Sequence, residues 1–380
     1  MRNADAQVAR ERGEIMRQEG GRGALRIAAL LAFLTAMVLG LQGDAALARI
    51  PPTHYAVVLA TVDKHIVPHM AALRDAAQRL PGAVAQVCRA GDGASREALV
   101  AEFRSTVRAW AGVEFLRFGP MMEAVRRERM SFWPDPRGVM KRQLRTLIAA
   151  GDSAALDAPD AIIKQSAAVQ GLPALEALIA DTAAPLGPQE DARYRCKLAQ
   201  AIANNVGGIA RDLYDGWTQR GGWRERMLEP GSDNAVYKEP QEAANELVKA
   251  FLTGLALVGD GQVKPQLDPN SKFRPPYAAT QSSSDYFAGG VQSLAALYRV
   301  MDLEAFLDDD KAWVKNWVGG AWPTLLASDG AGGRLPDAEK IEAPPLAKVQ
   351  AMFSGLRKIT ITVLSPAAGL TVGFNELDGD

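Results

Sequence analysis

The sequence predicts an all-α protein built as two four-helix bundles, and three observations carry that prediction. Apolar residues recur at helical spacing through almost every long stretch, strand-like alternation is scarce, and a Pro/Gly-rich segment at 181–190 separates two sets of helical stretches. Only 359–363 holds a β-branched run, and it lies inside a longer helical pattern. At 380 residues the chain has room for about two domains of roughly 150 residues each.

Each element follows from its own pattern. The first runs over 58–80, with Val62, Ile66, Met70, Leu73, Ala77 and Leu80 on one face. It is flawed at Pro68, which cannot donate to the Lys64 carbonyl, and interrupted by Pro81-Gly82. The second starts near Ser95, carries Leu99, Phe103, Val107, Trp110 and Phe118 on one face, and ends at Gly119-Pro120. Further helices are predicted over 139–150 and 158–181, the latter opened by Asp157 and Pro159, which suits a first turn. After the divide come 191–219, 239–259, 284–307 and 346–365, with a shorter piece at 311–327. The segments 221–239 and 264–284 are rich in Gly, Pro and Ser and read as surface loops. The expected organisation is a leader at 1–48, an N-terminal bundle at 49–185 and a C-terminal bundle at 186–380.

Composition narrows the function. With 43 basic and 44 acidic side chains the net charge is -1, which leaves no basic footprint for nucleic acid. Arg22 and Arg26 precede an apolar run over 27–41, followed by Ala46-Leu47-Ala48, the small-x-small pattern of a signal peptidase site. Cleavage after Ala48 and export to the periplasm are expected, with no transmembrane span left; the alternative is a single anchoring helix. In that oxidising space Cys88 and Cys196 have one possible pairing, and a disulfide is the expectation, against two separately buried thiols.

Phosphate-loop, serine-hydrolase, zincin and C-x-x-C signatures are all missing. His65 and His69 are four apart and share a helix face, so they either ligate a metal together with a carboxylate such as Glu176 or sit as hydrogen-bonded core histidines. Glu114 and Glu176 fall in apolar stripes, where a carboxylate needs a partner; Arg117 is the nearest to Glu114. The loop Phe132-Trp133-Pro134-Asp135-Pro136-Arg137 is either a rigid lid or a corner plugging a bundle end.

The strings Arg117-Phe118-Gly119-Pro120, Phe132-Trp133-Pro134-Asp135-Pro136-Arg137, Gly171-Leu172-Pro173-Ala174-Leu175-Glu176 and the closing Gly373-Phe374-Asn375-Glu376-Leu377-Asp378, in this order, resemble the imelysin family of exported bacterial proteins. The resemblance implies two helical bundles, residence in a Gram-negative envelope, a part in iron uptake and a peptidase label. The family's G-x-H-x-x-E hallmark is matched at Gly171 and Glu176, but Pro173 stands where the histidine belongs. A pyrrolidine ring can neither ligate a metal nor shuttle a proton, so no catalytic residue is assigned.

Within a helix, Pro173 should also force a bend or restart near Gly171 and free backbone groups toward the interior. A ligand pocket is therefore expected around Glu114, Arg117, Trp133, Asp135, Arg137, Gly171, Pro173 and Glu176. The expected role is a binding or accessory component of iron or divalent-metal acquisition, taking a small ligand or metal and working beside other iron-uptake envelope proteins. The alternatives are a metallopeptidase using His65, His69 and Glu176, and an envelope interaction scaffold.

Overall fold

The computed structural model describes residues 53–158, 160–329 and 345–371. The leader, its cleavage position at Ala48, Pro159 and the closing string at 373–380 lie outside the described residues. Among the described residues there are helices and turns and no strand.

The chain opens with α1 (His54–Thr61), a π-turn (Val62–Ile66) and α2 (Val67–Ala77). Thr53 caps α1, its Oγ1 accepting the Ala56 N–H at 3.2 Å. The break expected at Pro68 takes the form of this π-turn: Pro68 stands in the first turn of α2, and the Val67 N–H reaches back five residues to the Val62 carbonyl. After α3 (Leu80–Ala90), Gly91 adopts the left-handed conformation that ends a helix, and Asp92 caps α4 (Gly93–Ala111) through its 2.8 Å bond from the Ser95 N–H. The chain leaves the helix at Gly112, so Glu114 and Phe118, expected on a continuing helical stripe, lie in the turn beyond it and are buried there.

Next come α5 (Arg126–Met130), α6 (Val139–Ala150) and α7 (Leu172–Ile179). The helix expected over 158–181 is thus confined to its last third. The Gln170 amide explains the difference: its Nε2 donates to the carbonyls of Ile163 and Gln165, holding the preceding residues in turns instead of helical bonds. Helix α8 (Arg193–Thr218) follows its predicted stretch, but α9 (Trp223–Leu228) is a short helix inside 221–239, which reads as a surface loop; burial of Met227 and Leu228 holds it against the core. Helices α10 (Pro240–Val258), α11 (Ser283–Met301), α12 (Ala312–Asp329) and α13 (Leu346–Ile359) match their predicted stretches closely. Second and third π-turns follow α10 (Gly259–Val263) and α13 (Thr360–Leu364).

The described helices pack into one compact unit. Helices α2 and α3 pack against α8 and against α4, while α10, α11, α12 and α13 each pack against the next, with α13 returning to α10. Helix α8 follows the 181–190 segment yet packs on α2 and α3, and Cys88 of α3 forms a disulfide with Cys196 of α8, their Cα atoms 5.9 Å apart. The most extensive packing is that of α4 against α11, where Gly289 permits the contact: a Cβ there would lie 2.2 Å from the Arg108 carbonyl oxygen. The span His54–Ala90 is apolar enough by length and composition to cross a membrane, but Val62, Ile66, Met70, Leu73 and Leu80 are fully buried in the core, so its hydrophobicity is accounted for by packing.

Candidate functional site

The junction between α4 and α11 leads directly to a buried polar cluster. Glu114, in the turn after α4, is only 7% exposed. It accepts a hydrogen bond from the Tyr286 phenol of α11 and feels the charges of Arg117 and Arg127. Burial outweighs these partners and pushes its carboxyl up to about 7. The Tyr277 ring meets that of Tyr286 edge-on at 5.3 Å, and its hydroxyl shares a 2.7 Å hydrogen bond with Ser131 Oγ. Burial, with the Glu114 charge second, holds both phenols well above the usual tyrosine range, so both are protonated at neutral pH.

Glu176 approaches from α7. Its Oε1 accepts both the backbone N–H of Thr280 at 3.0 Å and Thr280 Oγ1 at 3.1 Å, and Oγ1 is also within 2.8 Å of Ser282 Oγ. Burial raises the Glu176 carboxyl, and the Thr280 bonds oppose the rise. The loop supplying Thr280 is strained: Tyr277 (φ 59°) and Gln281 (φ 56°) are non-glycine residues in the left-handed region. The Ser282 N–H to Tyr277 carbonyl bond, 2.9 Å, closes this loop.

Local chemistry at 170–173 aims Glu176. Gly171 is obligatory, since a Cβ there would sit 2.2 Å from the Met130 carbonyl oxygen and 2.3 Å from that of Arg129. Arg129 donates to Gln170 Oε1 (2.8 Å) and Asn205 Oδ1 (3.1 Å), and the Asn205 amide donates to the Gln170 carbonyl (2.8 Å), fastening the segment to α8. Pro173 then occupies the first turn of α7. Of the two outcomes expected there, the helix restarts and does not bend. Its missing N–H falls among those that a helix start leaves unpaired anyway, so no interior carbonyl is freed. The polar character of the site comes from side chains and from the Thr280 loop.

The other predicted residues divide. Arg117 stands beside Glu114 as expected. Trp133 packs edge-on against Phe273, ring centroids 6.3 Å apart, and Asp135 is spent as a helix cap, accepting the N–H groups of Val139 and Met140 at 2.9 Å each. Arg137 is exposed, and its carbonyl accepts from Arg142. The loop is a corner that starts α6; Asp135 and Arg137 do not join the cluster.

His65 and His69 stack with ring centroids 4.0 Å apart. His69 Nδ1 bonds the His65 carbonyl at 2.7 Å, and His65 Nε2 lies 3.3 Å from Ser293 Oγ, whose proton goes to the Gly112 carbonyl at 2.6 Å. The Nε2 of His65 is therefore the protonated nitrogen, and its Nδ1 has no hydrogen-bond partner among the described residues. Burial lowers the pKa of both rings, and the proximity of His69 lowers that of His65 further. Among the described residues no three His, Cys, Asp or Glu side chains are grouped to hold a metal ion, so His65, His69 and Glu176 do not form a common ligand set. The pair packs behind the turn that carries Glu114.

Sequence reasoning missed Tyr277, Thr280, Ser131 and Tyr286. The first two lie in a stretch that reads as a surface loop, and Tyr286 resembles any core aromatic of α11; only the tertiary contacts distinguish them.

The fold and the cluster define an all-helical protein with a carboxylate–phenol site buried beside the junction of α4 and α11. The family model described as Imelysin matches residues 66–318, and the chain belongs to the imelysin family. Two solved structures share the fold. An imelysin-like protein from Psychrobacter arcticum 273-4 superposes with a TM-score of 0.69 at 18% identity, covering 84% of this chain and 97% of its own. A candidate iron-regulated protein A precursor from Parabacteroides distasonis ATCC 8503 does so with a TM-score of 0.62 at 16% identity, covering 84% and 96%. A search of curated proteins finds no match.

Proposed function

We propose that this chain is an exported periplasmic binding or accessory component of iron or metal acquisition, with its ligand taken at the cluster of Glu114, Glu176, Tyr277 and Tyr286. The observation that carries the reading is the gathering of two carboxylates and two phenols in one buried place, next to the position where the family's motif histidine is replaced by Pro173. Two carboxylates beside two protonated phenols suit a polar ligand that both donates and accepts hydrogen bonds. Family membership, the description of the Parabacteroides neighbour as iron-regulated, and the sequence pattern expected of a leader ending at Ala48 support the same reading.

The test is radioiron accumulation under iron limitation in a deletion strain complemented with wild type or with Glu114→Gln/Glu176→Gln, alongside fractionation of the envelope. Reduced accumulation restored only by wild type, with the protein in the periplasmic fraction, is expected. Unchanged accumulation on deletion overturns the reading.

A further inference from the structure

We propose that the cleft between the two C-terminal π-turns is a second binding site, for a small organic monoanion with a compact apolar body. It shares no lining residue with the Glu114 cluster and does not depend on the reading given for that cluster.

Two of the three π-turns meet at this cleft. A π-turn carries one residue more than a helical turn needs, at a cost in hydrogen-bond geometry, and such turns concentrate at functional sites. The turn Gly259–Val263 prolongs α10, the turn Thr360–Leu364 prolongs α13, and α13 packs directly on the first of them. Between them lies a cavity of about 360 Å³, in the range of small-ligand sites.

The lining combines an apolar wall with a lysine that has no ion pair among the described residues. Leu255 and Phe353 form the buried wall, and Ile361, 39% exposed, extends it to solvent. Asp260 is held by Gln350 Nε2 at 3.0 Å and by Arg357 at 3.2 Å, so one of the two cations lining the cleft already faces a carboxylate. The other, Lys358, is exposed and has no ion pair among the described residues. Its backbone is tied down, since Thr362 Oγ1 donates to the Lys358 carbonyl at 2.8 Å. Lys358 is thus the lining cation that no carboxylate of the described residues pairs with. An anion therefore gains at Lys358 while its apolar body covers Phe353 and Ile361. A cation meets repulsion, and a neutral molecule forfeits the Coulomb attraction.

The test titrates the full chain with benzoate by ligand-observed NMR, with benzyl alcohol and acetate as comparisons lacking the charge and the apolar body respectively. Saturable benzoate binding is expected, with both comparison compounds weaker by about tenfold or more. Lys358→Gln should weaken benzoate by about tenfold and Lys358→Arg should restore it, while Ile361→Ser should weaken benzoate without changing the weak binding of acetate. Lys358 and Ile361 are both at the surface, so these variants keep the fold. Absence of saturable benzoate binding to wild type, or equal affinity of wild type and Lys358→Gln, overturns the proposal.

Discussion

Thr280 holds Glu176 twice, through its backbone N–H and through Oγ1, both directed at the same oxygen, Oε1, at 3.0 and 3.1 Å. The residues are separated by 104 positions, and the pair ties the strained loop after Tyr277 to the first turns of α7. This is how an exposed-looking loop becomes one wall of a buried site.

Thr280→Val keeps the backbone donor and the volume but removes the hydroxyl. A loss of about 1–2 kcal/mol in unfolding free energy is expected, because Glu176 and Ser282 both lose a partner. Urea denaturation of the two proteins measures it, and identical midpoints would show that the hydroxyl contributes nothing.

Glu114 should make the protein less stable as pH rises. Its folded value of about 7 lies above the ordinary 4.5, so the folded state binds the proton more tightly than the unfolded chain. Stability is complete below about pH 4.5 and declines as pH climbs through 7. Glu114→Gln keeps an acceptor for Tyr286 and removes the titration. Relative to wild type it should gain on the order of 3 kcal/mol between pH 4.5 and 8, read as a widening gap in denaturation midpoints. A gap independent of pH would refute the assignment.

His65 works in the opposite direction. Burial depresses its folded pKa below 6.5, so the unfolded chain binds that proton more tightly, and stability present above 6.5 is lost as pH falls toward the folded value. The effects of His65 and Glu114 partly cancel below pH 6.5 in wild type. Thermal melts of His65→Gln across this window should show a shallower acid-side decline, with the remainder left to His69, whose pKa burial also lowers. An unaltered acid-side slope would mean that another group is responsible.

The disulfide closes a sequence separation of 108 residues between α3 and α8. Cys88→Ser/Cys196→Ser should lower stability by about 4 kcal/mol through the larger freedom of the unfolded chain. Calorimetry with and without reductant checks this: reductant should lower the melting temperature of wild type and leave the double variant where it is.

Gly171→Ala sets a backbone carbonyl against a methyl group, with Met130 O at 2.2 Å and Arg129 O at 2.3 Å. A loss of at least ~2 kcal/mol is expected, because two backbone segments must separate to admit it. An unchanged melting temperature would show that the segment relaxes freely.

Much of the fold was legible because amphipathic periodicity is local. Leu99, Phe103, Val107 and Trp110 announced α4, and the stretches at 139–150, 239–259 and 346–365 reappear almost unchanged. The failure at 158–171 is equally instructive. The apolar spacing there was helical, but the Gln170 side chain captures carbonyls in turns and Gly171 is pressed against α5, and neither contact leaves a periodic trace. In the site, Glu114 and Glu176 were visible as carboxylates out of place in apolar stripes, whereas Asp135 and Arg137 looked equally promising and serve only the corner before α6 or solvent.

By itself the sequence determined the helical class, the identity of the buried carboxylates and the loss of the motif imidazole, since each depends on residue type and short-range spacing. Tertiary structure alone decided which side chains meet in the site: Tyr277 and Tyr286 beside Glu114, Thr280 on Glu176 and the histidine pair on Ser293. The reason is physical. Helix formation is driven by contacts a few residues apart, but burial, which sets the protonation of these groups, is a property of the surfaces that close over them from distant parts of the chain.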